Sequence, residues 1–286
     1  MYLYYGMVAL STLMFGVQFY CNDQYRKENG AGATSVFLFN LIGALVGTLC
    51  LAYLNSFDFS FTPFTLVCAL VTSINTLLCS FCSLKALEHV NLSVYSLFSM
   101  LGGMMLPFLA GILFYNEPMT LAKGVCVLLI FCALLLGVGS GKGSGGTVYY
   151  MGVFVLNGMS GVLSKIYEDC SLNKVSATGY SLWSAVMSIF LTVAVLLCIR
   201  RHVKKPNSRS ILWSVGGGFL NRVANLILLM ALAFLPASVQ YPMVTGGVMI
   251  VSTALALVTK QKVSKKEMLA VGLSFVGILA LISIPI

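Results

Sequence analysis

The sequence predicts an all-α integral membrane protein: ten transmembrane helices arranged as two inverted five-helix repeats. Three observations carry this prediction. The composition, 59% apolar with only 9% charged residues and a mean hydropathy of +0.95, leaves too little polar surface for a water-soluble domain. Ten apolar stretches approach the length of about 20 residues that a bilayer core requires. The chain also repeats itself. Tyr4, Tyr5, Met14, Gly16 and Val17 recur as Tyr149, Tyr150, Met159, Gly161 and Val162, and Ala86, Leu87, Ser93 and Val94 recur at the same offset as Ala231, Leu232, Ser238 and Val239. A one-residue slip brings Ala33 and Thr34 onto Ala177 and Thr178. Two tandem repeats, residues 1–138 and 147–286, follow, joined by a Gly/Ser linker at 139–146.

Lipid cannot satisfy exposed backbone groups, so each apolar stretch reads as a helix; a barrel would instead show alternating ten-residue strands. Span 1 covers Tyr2 to Tyr20; without a basic leader or a cleavage pattern, it is expected to be a retained helix. Span 2 covers Thr34 to Leu54. Span 3, Phe64 to Leu87, carries Thr72, Asn75, Thr76, Cys79 and Ser83 at steps of three and four, hence on one face. Span 4, Leu92 to Phe114, adds Tyr95, Ser99, Gly102 and Pro107, whereas span 5, Leu121 to Val138, has almost no polar residue. In the second half, span 6 (Val148 to Ile166) carries Asn157, Ser160, Gly161 and Ser164, and span 7 runs from Ala177 to Ile199. Span 8 (Ile211 to Leu235) carries Gly218, Asn221, Arg222 and Asn225. Span 9 (Ala237 to Val258) carries Ser238, Tyr241, Thr245 and Ser252, and span 10 (Met268 to Ile284) is again nearly bare.

Five spans per repeat make the second repeat enter the bilayer from the opposite side, as transporters with inverted repeats do. Spans 5 and 10, equivalent and apolar, are expected at the periphery against lipid, with a homodimer through them as the other option. The polar faces of spans 3, 4, 6, 8 and 9 are expected to converge on a central cavity. Small polar residues also let helices pack closely. The glycine pairs Gly102–Gly103 and Gly246–Gly247, with Gly216 to Gly218, admit both readings: helix crossing, or close approach of a ligand to the backbone.

The net charge of +9 is a topology signal and excludes no more than it explains; nucleic acid is not an expected partner. Odd loops hold Arg26, Lys27, Lys85, Lys142, Arg200, Arg201, Lys204, Lys205, Arg209, Lys260, Lys262, Lys265 and Lys266; even loops hold Lys123, Lys165 and Lys174. Positive charge stays cytoplasmic, so both termini are expected outside. The nine cysteines fall within spans or at their ends, and Cys79-x-x-Cys82 lacks the further ligands a metal site needs. The stretch GVGSGKGSGG departs from a phosphate-binding loop in its spacing and in Gly143 after Lys142. No catalytic residue, metal or cofactor is expected, and no pair of acids or nucleophile with base within the spans suggests an intramembrane enzyme.

Arg222 resists the packing explanation. It lies near the middle of span 8, where a charge costs on the order of 3 kcal/mol, and no Asp or Glu occupies the middle of any span. It is either held by carbonyls and by Asn75 or Asn225, or completed by an anionic substrate whose carboxylate or phosphate matches the guanidinium fork. Candidate substrate-binding residues are therefore Arg222 with Asn225, Asn221, Asn75, Gln18, Tyr95, Ser99, Asn157, Ser160, Tyr241 and Thr245.

The stretches SLKALEHVNLSVYSLFSMLGGMMLPFLAGILFYNEPMT and LMALAFLPASVQYPMVTGGVMIVSTALALVTKQKVS resemble the drug/metabolite transporter superfamily, in particular its ten-helix EamA-like carriers. Glu117 before Pro118 matches the family's acidic residue at the end of span 4, while Gln261 stands at the repeat-equivalent position. The resemblance implies alternating access around a central cavity, with amino acids, metabolites or drugs as cargo, and usually cytoplasmic termini, against the charge count. Gln18 stands in span 1, where the multidrug cation exporters of the superfamily carry a glutamate, which disfavours lipophilic cations as cargo. The expectation is a multi-pass secondary transporter in a plasma membrane, bacterial in view of its compactness, moving a small anionic or zwitterionic metabolite such as an amino acid. A lipid-linked carrier flippase is the alternative.

Overall fold

The computed structural model describes residues 2–30, 32–89, 92–137, 147–199, 207–259 and 265–283. These residues form ten helices: α1 (Tyr2–Asn29), α2 (Ala33–Leu54), α3 (Pro63–His89), α4 (Leu92–Phe114), α5 (Leu121–Gly137), α6 (Thr147–Asp169), α7 (Ala177–Ile199), α8 (Ser208–Leu232), α9 (Ala237–Val258) and α10 (Lys265–Ser283). No strand occurs among the described residues. By length and composition, four described segments can cross a bilayer: α2, Pro63–Ser83 of α3, α7 and α8. The expected linker at 139–146 lies outside the described residues.

Neighbouring helices set a consistent sense. α1 runs antiparallel to α8: Tyr4 stacks on Phe234 with ring centroids 4.2 Å apart, Cys21 lies beside Gly217, and Ser210 Oγ donates to Glu28 Oε2 at 3.0 Å. α3 runs antiparallel to α6, with Thr65 at Tyr167, Asn75 at Leu156 and Cys82 at Gly152. α1 is parallel to α9, through Thr12 at Gly247 and Gly16 at Val251, and α4 is parallel to α6, through Ser99 at Asn157 and Pro107 at Gly161. α2 packs on α7, α4 on α9 and α5 on α10.

Outward faces are apolar. Leu49 on α2, Phe190 and Leu197 on α7 and Leu128 on α5 are each more than 60% exposed, whereas Ser73, Ser188 and Gln240 are buried inside. A protein surface of this kind matches hydrocarbon better than water. α5 and α10 form an outer pair beside α4 and α9, their outward residues Leu121, Leu135, Phe275 and Leu279 exposed.

Two sequence expectations need correction. α1 continues past Tyr20 to Asn29, because Glu28 bonded to Ser210 and Tyr25 OH bonded to Ser35 O at 2.8 Å give its polar last turns tertiary partners. Lys123 and Lys165 are not loop charges. Lys123 is fully buried in α5 and donates to Pro118 O at 2.8 Å, and Lys165 is buried in α6 within an ion-paired cluster. Of the two readings of the glycines, close helix crossing is seen at Gly102, Gly218 and Gly247. A Cβ on Gly102 would strike Phe154 O, one on Gly218 the Cα of Gly43, and one on Gly247 the Thr12 side chain.

Candidate functional site

The predicted site residues divide into two groups. The first binds helix to helix. Asn75 Nδ2 donates to Leu156 O at 2.9 Å and to Ser160 Oγ at 3.4 Å, tying α3 to α6. Asn157 Nδ2 donates to Ser99 O at 2.6 Å, tying α6 to α4, and Tyr241 OH donates to Gly161 O at 3.1 Å, tying α9 to α6. α7, to which the sequence drew no attention, joins this group through Tyr180, whose hydroxyl is 2.7 Å from Thr72 Oγ1 and whose ring stacks on Tyr167 at 4.0 Å. Each of these bonds satisfies a polar group that burial would otherwise strand.

The second group is unpaired. Arg222 lies deep among the helices yet keeps part of its surface accessible, and no hydrogen bond or ion pair reaches its guanidinium among the described residues. Neither expected partner serves it. Asn75 is committed to α6, and Asn225 donates to Asn221 O at 2.8 Å from an exposed position. The stem of Arg222 passes over Gly47 of α2, where a Cβ would strike its Cγ; Gly47 is a residue the sequence reading missed, since nothing in its own neighbourhood marks it.

Gln18 and Thr245 are likewise buried with no hydrogen-bond partner among the described residues. The α1/α8 register places Gln18 level with Asn221 and Arg222, within one helical turn. Tyr95 belongs to α4, but its side chain lies outside the described residues.

Glu117 stands apart from both groups. Its carboxylate caps α9: Oε1 accepts from Ala237 N and Oε2 from Ser238 N, each at 2.9 Å, and the Ser238 hydroxyl donates to Oε2 as well. Lys165 Nζ lies 3.5 Å from Glu117 Oε1, 2.8 Å from Asp169 Oδ2 and 5.2 Å from the Tyr115 ring centroid. Burial alone would raise the Glu117 carboxyl. The Ser238 hydroxyl, the Ser238 and Ala237 amides and the Lys165 charge outweigh it and hold the carboxyl below its usual value of 4.5. Among the described residues no group of three His, Cys, Asp or Glu side chains could hold a metal ion.

No family model matches the chain, and no curated protein matches it. A solved structure described as "Crystal structure of protein" superposes with a TM-score of 0.75 at 15% identity, covering 96% of this chain and 94% of that one. At that identity the likeness is one of fold alone.

Proposed function

We propose that this chain is a ten-span secondary transporter of the EamA-like type in the drug/metabolite transporter superfamily, moving a small anionic or zwitterionic metabolite such as an amino acid by alternating access. Its place is a plasma membrane, bacterial, crossed by all ten helices in two inverted repeats. Several packing relations support the architecture. Exchanging each helix with the one five places along the chain turns the antiparallel pair α1/α8 into α6/α3 and the parallel pair α1/α9 into α6/α4, and all four pairs occur with the same sense. α2/α7, α4/α9 and α5/α10 pair each helix with its own equivalent, as a pseudo-twofold axis between repeats requires.

One observation carries the function: an arginine deep in the bundle, partly accessible and without a partner among the described residues. A guanidinium held in low dielectric attracts an anion far more strongly than one in water, and its planar fork suits a carboxylate or phosphate. Uptake into proteoliposomes, screened across amino acids, organic acids and nucleosides, tests the reading. Saturable flux of an anionic or zwitterionic solute, lost in Arg222→Ala, is expected. Conductance without saturation, or flux indifferent to Arg222, would overturn it.

A further inference from the structure

Helix neighbours divide the middle of the molecule into two bundles. α4 and α6 lie close together: a Cβ on Gly102 would meet Phe154 O, one on Gly158 would meet Gly102 O, and one on Gly161 would meet Pro107 Cγ. Asn75 ties α3 to this pair. α1 lies close to α9, through Gly16 at Val251 and Thr12 at Gly247, and to α8, through Cys21 at Gly217. One bundle is thus α3, α4 and α6, the other α1, α8 and α9. Where the connections after α4, α6 and α8 meet, Glu117 joins the two. Its amide donates to Gly111 O of α4 at 3.1 Å, and its carboxylate sits so close over Gly111 that a Cβ there would stand 2.7 Å from Oε2. From this seat on the first bundle the carboxylate holds the N-terminus of α9 on the second. The end is sealed: every residue from Ala237 to Met243 is buried.

Alternating access requires one unit of the fold to part from another at each end in turn, and this contact is suited to parting. Water can replace Glu117 at the α9 amides and the Ser238 hydroxyl. Glu117 would keep a counter-charge on its own bundle, since Lys165 of α6 lies 3.5 Å away, and Lys165 has Asp169 at 2.8 Å on the same helix. No charge is stranded when α9 leaves, which is the costly outcome for a buried ion. An apolar seal would instead put hydrocarbon into water each time it opened. We infer that Glu117 is a conformational latch: its grip on α9 keeps this end of the molecule shut, and its release, with the carboxylate left on Lys165, opens the interior to that side. The repeat-equivalent Gln261 carries no charge, so the second repeat supplies no anion for such a grip. The latch presupposes the alternating access proposed above.

Thiol labelling separates opening from unfolding. The full chain carries Cys126 and a reporter, Thr245→Cys, with the other cysteines replaced by alanine. Thr245 is buried on the face of α9 that holds Ser238, about 10 Å deeper. Cys126, fully buried in α5 outside both bundles, reports unfolding. An impermeant reagent is applied to membrane vesicles from the side that labels Leu172→Cys, an exposed position in the connection after α6, so the latched end is identified whichever way the protein is inserted. With Glu117 intact the reporter should react slowly from that side. Glu117→Gln should speed it about tenfold, the scale of one charge-assisted hydrogen bond, and Ser238→Ala by less, while Cys126 stays unreactive. If Cys126 becomes reactive along with the reporter in both variants, Glu117 is a brace and the latch falls. It falls equally if neither variant changes the rate, or if the reporter already reacts as quickly from this side as from the other with Glu117 intact. Saturable, Arg222-dependent uptake, measured on the same variants without the reporter, then shows whether the transporter reading stands without the latch or falls with it.

Discussion

Arg222 and its surroundings show what single residues contribute. A structural arginine would leave partners stranded when removed, but none is present among the described residues. Arg222→Ala is therefore expected to leave the thermal stability of the ligand-free protein unchanged or raised. Ligand-induced stabilisation and transport should disappear together. Arg222→Lys should recover little, since an ammonium cannot reproduce the two-pronged geometry. Melting curves of the three proteins with and without a transported ligand decide it, and a melting point lowered by several degrees in the apo alanine variant would assign Arg222 to packing. The arginine was legible in the sequence because charge is rare inside an apolar span.

At the scale of elements, glycines on one seam should behave oppositely. A Cβ on Gly218 meets backbone of α2 at Gly43, which cannot yield, so Gly218→Ala should push the helices apart and cost on the order of 1–3 kcal/mol of stability. The atoms nearest a Cβ on Gly47 belong to the side chain of Arg222, with Cγ the closest, so Gly47→Ala should fold nearly normally but displace the guanidinium and weaken ligand binding. Melting points and ligand-shift titrations of both variants check the contrast. α9 depends on a cap supplied from outside itself. Glu117→Ala removes that cap and one of the two acids paired with a buried lysine, a loss of about 2–4 kcal/mol in unfolding measurements. The Glu117 carboxyl is held below 4.5, so its contribution is complete above about pH 4.5 and fades as pH falls through the lower folded value. A wild-type melting profile in that acid range should flatten in Glu117→Gln; an unchanged slope would contradict the cap. The resemblance picked out Glu117 from the sequence, but its partner could not be read there, since Ala237 and Ser238 lie 120 and 121 residues away.

For the whole molecule, orientation follows from charge. Lys123 and Lys165 lie in helices on the even side, as Arg26, Lys27, Lys85, Arg209, Lys265 and Lys266 do on the odd side, and the excess of positive charge stays with the odd connections. A cytoplasm-only reporter fused after Ile286 should be silent, and a bright signal would reverse the topology. Coupling is expected to be by exchange or facilitated diffusion. Proton coupling needs a group that titrates in the pathway, and Glu117, the acid the resemblance singles out, is occupied in capping α9. Proteoliposome uptake driven by an imposed pH gradient and abolished in a folded Glu117→Gln protein would refute this.

Composition and apolar periodicity were enough to predict an all-helical chain, the approximate bounds of its helices and an arginine in need of a partner, because lipid-crossing helices are dictated locally by length, hydropathy and internal hydrogen bonding. Tertiary structure alone decided which polar residues were already spoken for. Asn75, Asn157 and Tyr241 looked like Arg222 in sequence, each a polar group on an apolar helix, but proved to be joints between helices. A hydrogen bond to a distant backbone carbonyl depends on where another helix crosses, and that crossing is set by side chains such as Gly43 and Gly218 far along the chain from the group they leave paired or free.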